Sequence, residues 1–337
     1  MKNNTKTGRI EYFDTARAFL IFLVVLGHVL IVLNPGYDRL LLTAAQEFMA
    51  SFYMPGFLII HGILVGNKWG GSVPVGGMLL ARRARALLIP YLFFETIGIL
   101  CRWMVYGQSL STGLYNLLTI RCNVGADWFL PALFMGNLLC TFWGMRQKRF
   151  VQAVSVCLAI LLPMLLPDNQ FCTVIGRGLL AYSFIMVGTL LRDLFVSEET
   201  PGWGKTVLSL LVTGVCSIVN LKWGTNDFYS CTVGNPLTLV LAGISGTYLT
   251  LAVARRFTHP VISKTGAQSL VIMGTHQLVI YVMTALVPGM RGGSLLWGAG
   301  LLAVIIVFEI VMIFVLNRYF PHFIGKGARS FTKGVSP

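Results

Sequence analysis

Residues 10–34 read IEYFDTARAFLIFLVVLGHVLIVLN. From Thr15 to Asn34 the run is interrupted by only two ionisable side chains, Arg17 and His28. At 1.5 Å per residue it forms a helix about 30 Å long, the thickness of a bilayer's hydrocarbon core. Working outward, comparable apolar runs recur at 46–66, 86–106, 127–143, 150–167, 173–191, 205–222, 236–254, 268–287 and 294–316. The pattern predicts an all-α integral membrane protein with about ten transmembrane helices in one bundle. Composition agrees: of 337 residues 55% are hydrophobic and 11% charged, with a mean hydropathy of +0.75. Soluble proteins carry about 25% charged residues, so a single soluble core is excluded, and disordered, collagen-like and coiled-coil chains fall with it.

The basic residues decide orientation. Lys and Arg number 26 against 12 Asp and Glu, a net +14, but they sit in short clusters between the apolar runs, so a nucleic-acid partner is not expected. Nineteen fall on one set of alternating segments, including Lys2, Lys6, Arg9, Lys68, Arg329 and Lys333. The opposite set holds Arg39, Arg102, Arg121, Arg177, Lys222 and Arg291, so the positive-inside rule predicts that both termini are cytoplasmic. No small-residue cleavage site follows the first run, which is expected to stay as helix one. The expected organisation is one transmembrane domain over 1–337 with no appended soluble domain. Trp103, Tyr106, Tyr115, Trp128, Trp223 and Tyr229 fall near predicted outer ends, as an aromatic belt would. Seven cysteines lie without a CxxC pair or a Cys/His cluster, which argues against a metal site, and Cys122, Cys172 and Cys231 in predicted outer loops leave room for a disulfide.

An ionisable residue inside a span is costly, so function is the first hypothesis for it. Arg17 to His28 is eleven steps of 100°, only about 20° past three full turns, and Asp14 to His28 is within about 40° of four turns. All three share a face, and His28 sits about 16 Å along the helix from Arg17. This stripe suits a path across the membrane. It equally suits an Asp14–Arg17 pair flanking the helix with His28 hydrogen-bonded in the core. Arg82-Arg83-Ala84-Arg85, read as a cytoplasmic loop meeting a helix start, supplies guanidiniums for phosphate oxygens or for anionic lipid headgroups. His61, Glu95, Asp127 and His276 are further polar residues at or inside spans, with Glu309 beside them. Trp128 next to Asp127 could stack on a sugar or anchor the interface.

Together these blocks resemble the acyltransferase-3 family of membrane acyl-CoA-dependent transferases, in particular its fucose 4-O-acetylase-like branch. The resemblance runs from Ile10 through Asp14, Arg17 and Leu26-Gly27-His28 to Phe52-Tyr53-Met54-Pro55-Gly56, Arg82 to Tyr91, Asp127 to Leu133, and Ile262 to Leu270 with His276. The chain departs from the family pattern at Tyr53 for His, His61 for Ser and Gln268 for Asn. The resemblance implies transfer of an acyl group from cytoplasmic acetyl-CoA or another short acyl-CoA to a hydroxyl of a cell-surface or lipid-linked sugar. Catalysis would rest on His28, as general base or transient acyl carrier, with Arg17 and Asp14, and the donor's phosphates on Arg82, Arg83 and Arg85. His61, Glu95, Asp127, Trp128 and His276 would face the acceptor or its cavity. No tightly bound cofactor and no metal are implied; the partners are acyl-CoA, a carbohydrate and the lipid bilayer of a cytoplasmic membrane. The rival reading is a non-enzymatic transporter or polysaccharide exporter.

Overall fold

The computed structural model describes residues 11–69, 77–196 and 200–326. Ile10 of the first motif, the N-terminal Lys2, Lys6 and Arg9, and Arg329 and Lys333 lie outside the described residues, as does the side chain of Lys68. Among the described residues thirteen helices follow in order: α1 Glu11–Leu33, α2 Leu40–Trp69, α3 Gly77–Tyr106, α4 Leu110–Leu118, α5 Phe129–Phe142, α6 Arg149–Leu161, α7 Gln170–Leu190, α8 Arg192–Phe195, α9 Trp203–Trp223, α10 Pro236–Arg256, α11 Pro260–Gly266, α12 Ser269–Leu286 and α13 Leu295–Tyr319. Eight of them, α1, α2, α3, α7, α9, α10, α12 and α13, are long and apolar enough to cross a membrane. The runs read at 127–143 and 150–167 correspond to shorter apolar helices, α5 with 14 residues and α6 with 13, the latter prolonged by a 3-10 turn to Leu165.

Burial divides the helices. In α1, α2 and α7 roughly two-thirds of the apolar window is inside the bundle, whereas in α13 only 22% is. Val307, Ile310, Val311 and Phe314 of α13, with Leu208, Leu211 and Val215 of α9, are exposed aliphatic and aromatic side chains, which a bilayer covers and water would not. The protein is an all-α multi-pass membrane protein.

The core forms where small residues let backbones touch. A Cβ on Gly62 would stand 2.0 Å from the Ile185 carbonyl oxygen, and one on Gly188 would stand 2.1 Å from that of Ile59, so α2 and α7 meet backbone to backbone through a reciprocal glycine pair. A Cβ on Gly266 would stand 1.7 Å from the carbonyl oxygen of Asp14, which seats α11 against the first turns of α1. Arg255 ties the same end together by donating to the Phe195 carbonyl at 2.7 Å and the Tyr12 hydroxyl at 3.2 Å.

The two ends of the bundle can be named from α1. At the Asp14 end lie Arg82, Arg83, Arg85, Arg146, Lys148, Arg149, Arg192, Arg255 and Arg256. At the His28 end lie the connections carrying Arg39, Arg121, Arg177 and Arg291. Arg82 to Arg85 are not a loop, as expected, but part of α3, whose first turn precedes them at Gly77. Two elements at the His28 end have no counterpart among the predicted spans: α4, and a two-residue hairpin of β1 (Asn226–Asp227) against β2 (Thr232–Val233). All seven cysteines are unbridged, and the buried Cys122 thiol donates to the Ile120 carbonyl at 3.7 Å.

Candidate active site

The site starts from α1. Arg17 donates from Nη1 to Asp14 Oδ1 at 3.3 Å, one turn back on the same face. His28, five residues before the end of α1, has Nδ1 2.9 Å from the Val24 carbonyl. A carbonyl only accepts, so Nδ1 carries the proton and Nε2 keeps the lone pair. The same Nδ1 lies 3.3 Å from Nε2 of His276 on α12, and the two rings stand 5.0 Å apart. His276 is fully buried and bonds through its own Nδ1 to the Ile272 carbonyl at 2.7 Å, which fixes its tautomer in the same way and turns its Nε2 lone pair toward His28. Next to it, Thr275 donates to the buried Glu309 carboxyl at 2.8 Å, binding α12 to α13 behind the pair. Two histidines 248 residues apart thus form one unit in which only His28 Nε2 is left for chemistry.

His28 opens on two cavities. The larger, about 660 Å³, runs between α1, α2, α12 and the hairpin, with Tyr53, Trp128 and Tyr229 among its walls. The smaller, about 300 Å³, lies between α1 and α12, shares His28, Ile31 and Gln277 with the first, and ends at Arg291. Volumes of this size accept small molecules or sugar units.

The other expected residues separate. Trp128 does line the large cavity, but it is 6% exposed and therefore no belt anchor, unlike Trp103 and Trp223, which are exposed. Arg177 holds it there. Its guanidinium stacks 5.4 Å from Trp128 and 4.8 Å from Tyr229, and donates to the carbonyls of Tyr229 and Ile120. Glu95 does not reach the cavity, because its carboxylate is taken by the Asn123 and Val124 amides at 2.7 and 2.9 Å and by Asn123 Nδ2 at 2.9 Å. It anchors the turn that leads to Trp128. Asp127 is wholly buried behind the cavity wall, whose lining passes from Ala126 to Trp128, and neither of its oxygens receives a hydrogen bond. His61 lies at the Asp14 end of α2, with Nε2 2.9 Å from Asn137 Oδ1 on α5 and 3.4 Å from Arg83 Nη1. Arg83 thus turns into the bundle, while Arg82 and Arg85 are exposed on the outer face of α3.

The departures from the family pattern also find places. Tyr53 lies 3.6 Å from where a Cβ on Gly27 would stand, beside His28, and Gln268 accepts from Asn317 at 3.1 Å and Lys326 at 2.9 Å at the Asp14 end. The sequence marks Arg177 only as a charge at the border of a span and gives no signal for Glu47 and Asp227, which line the cavity with Trp128. The described residues hold no cluster of three or more His, Cys, Asp or Glu able to bind a metal.

With this geometry in view, comparison with known proteins settles the kinship. The acyltransferase domain family model matches residues 10–323. The chain belongs to the acyltransferase-3 family. It is a multi-pass membrane protein whose acyltransferase domain spans residues 10–323. It is similar to nodulation protein NolL of Sinorhizobium fredii, 26% identical over 227 residues that cover 64% of this chain and 58% of that protein. It is also similar to nodulation protein NolL of Mesorhizobium japonicum, 32% identical over 130 residues, covering 38% and 34%. The matches therefore span less than two-thirds of either relative. No solved structure matches.

Arg177 gives the first expected result. Arg177→Ala removes the cation stacked on Trp128 and two carbonyl contacts, so Trp128 and the hairpin lose their fixed geometry while His28 is untouched. The KM for the acceptor should rise by about tenfold, as for one cation–π contact and a charge-assisted hydrogen bond, with the KM for the donor unchanged. Separate acceptor and donor titrations check this.

Proposed function

We propose that this acyltransferase moves a short acyl group, acetyl in the simplest case, from acyl-CoA to a sugar hydroxyl, with His28 as the base. The observation that supports this best is the state of His28. Val24 and His276 occupy Nδ1, so the lone pair of Nε2 belongs to the two cavities that meet at this ring. A hydroxyl held against Trp128 gives its proton to Nε2 as its oxygen attacks the thioester carbonyl carbon. The tetrahedral adduct collapses, the C–S bond breaks, and the thiolate takes the proton back from His28. Ester and free thiol are the products, and the imidazole ends as it began. His276 would act as a positioning residue that accepts from Nδ1–H and stabilises the imidazolium while it exists. Arg17, paired with Asp14, supplies positive potential along the donor's route, and the Asp14 end is the cytoplasmic side.

The donor's phosphates are assigned to the basic turns of α3. Arg82 and Arg85 are exposed and one turn apart, as a bidentate phosphate clamp needs, while Arg83 points inward toward His61 and Asn137 along the way the pantetheine arm would enter. In an Arg82→Ala/Arg85→Ala variant the KM for acyl-CoA should rise by tenfold or more, about 1.5–3 kcal/mol per lost contact, and the KM for the acceptor should not move. A donor titration in purified, correctly folded protein checks it, and an unchanged donor KM would reassign the arginines to lipid headgroups.

The reading as a whole is tested by incubating the purified protein with acetyl-CoA and a glycan acceptor. Thiol release that depends on acceptor, together with an acetyl mass increment on the glycan, is the expected result. Flux of glycan across a vesicle without thiol release would favour the transporter instead.

A further inference from the structure

We infer that the large cavity is a charge filter: Glu47 and Asp227 select an uncharged or amino sugar as acceptor and reject acidic sugars. This rests on the cavity's being the acceptor site, and it is carried by the wall that α2 and the hairpin supply. Glu47 is 9% exposed and turned into the cavity; its Oε1 accepts from Asn220 Nδ2 at 2.9 Å, and no donor among the described residues reaches Oε2. Asp227 lines the cavity from β1 as an exposed charge whose carboxylate accepts from the Tyr229 and Ser230 amides at 3.0 Å and from the Ser230 hydroxyl at 2.7 Å. Gln46, on the same wall, gives its Nε2 to the Tyr37 hydroxyl at 3.3 Å and keeps its Oε1 buried without any partner. Two carboxylates and one unsatisfied amide oxygen therefore stand in the wall of a space shared with Tyr53, Trp128 and Tyr229, with Glu47 Oε2 the acceptor left open, and no Lys or Arg among the described residues lines it.

Such a wall needs donors from its occupant. A sugar hydroxyl or an ammonium group satisfies the open Glu47 oxygen and is favoured by the Asp227 charge, and the faces of the aromatic rings suit either a sugar's C–H face or a cation. A carboxylate or phosphate satisfies none and meets two like charges, a juxtaposition that costs several kcal/mol at an interface. Arg177 does not cancel the effect. It lies behind Trp128 and Tyr229 with its guanidinium engaged by the Tyr229 and Ile120 carbonyls. The opposite sign appears only past His28, where Arg291 ends the smaller cavity.

The test is calorimetric titration of the purified protein, without acyl-CoA, with three trisaccharides of one backbone: cellotriose, the chitosan trimer and the triuronic acid. Because no acyl transfer is involved, the result stands or falls apart from the assignment of the chemistry to His28, which thiol release reads separately. Cellotriose and the chitosan trimer should bind, with the uronic acid weaker by about tenfold or more. Glu47→Gln and Asp227→Asn should each narrow that gap, mainly by tightening the uronic acid. Both keep a side chain of the same shape, and either alone suffices should the other not fold. Equal binding of the uronic acid to the unaltered protein, an unchanged gap in both variants, or no heat with either cellotriose or the chitosan trimer would overturn the inference.

Discussion

His28→Gln should lose acyl transfer almost completely while remaining folded. Loss of a positioned general base costs about 10²–10⁴-fold, and no other lining group replaces it: Tyr53 beside the ring carries a proton on its phenol, the Glu47 and Asp227 carboxylates are held by Asn220 and by the Tyr229–Ser230 turn, and His276 is spent on Ile272 and on His28 itself. Gln is the sharper replacement than Ala, because its amide can still bond the Val24 carbonyl and fill the space beside His276, yet offers no nitrogen lone pair able to accept a proton. His276→Gln should fall much less, since it removes an orienting partner and leaves Nε2 of His28 in place. The ranking matters as much as the size. Thiol release and acylated glycan measured on both variants, with thermal unfolding as the control, should put His28→Gln far below His276→Gln. Transfer at the unaltered level in His28→Gln would end the assignment.

Much of this was legible before any coordinates. Helical periodicity is enough to put Asp14, Arg17 and His28 on one face, and the Arg17–Asp14 contact at 3.3 Å follows from an i, i+3 spacing that the sequence displays directly. Hydropathy finds the eight long helices because a span must be apolar over its whole length. What stayed hidden is long-range. Nothing in a local window tells that His276 reaches His28 across 248 residues, or that Arg83 and not its neighbours turns inward to His61. Glu95 and Asp127 misled for a related reason. A buried carboxyl in a span reads as functional, but Glu95 is occupied by the amides of the Asn123–Val124 turn, a tertiary contact with no sequence signature. Trp128 reads as a belt residue until Arg177, from another helix, is seen stacked behind it. The hairpin at 226–233 lay in a stretch too short and too polar to register as structure, yet it supplies one wall of the cavity.

Acyl transfer in oriented proteoliposomes should run in one arrangement only. The arginines of α3 and the Asp14–Arg17 pair stand at one end of the bundle, and both cavities at His28 stand toward the other. Along α1 about 16 Å separates Arg17 from His28, so in the proposed mechanism the two substrates approach the imidazole from opposite ends. Acyl-CoA is a polyanion that does not cross a bilayer by itself, because charge in the hydrocarbon core is too costly. In the proposed reaction the basic end therefore faces the compartment that makes the donor, which is also where the positive-inside rule puts that end. With acetyl-CoA outside vesicles that expose the Arg82 end, and a glycan enclosed on the Trp128 side, ester should accumulate inside and thiol outside. With the two substrates exchanged, both should fall to the level of empty vesicles. A leak test with an enclosed dye separates true sidedness from ruptured membranes. Equal activity in both arrangements, with the dye retained, would mean that donor and acceptor share one entrance, and that the basic turns of α3 hold the membrane's headgroups and not the donor.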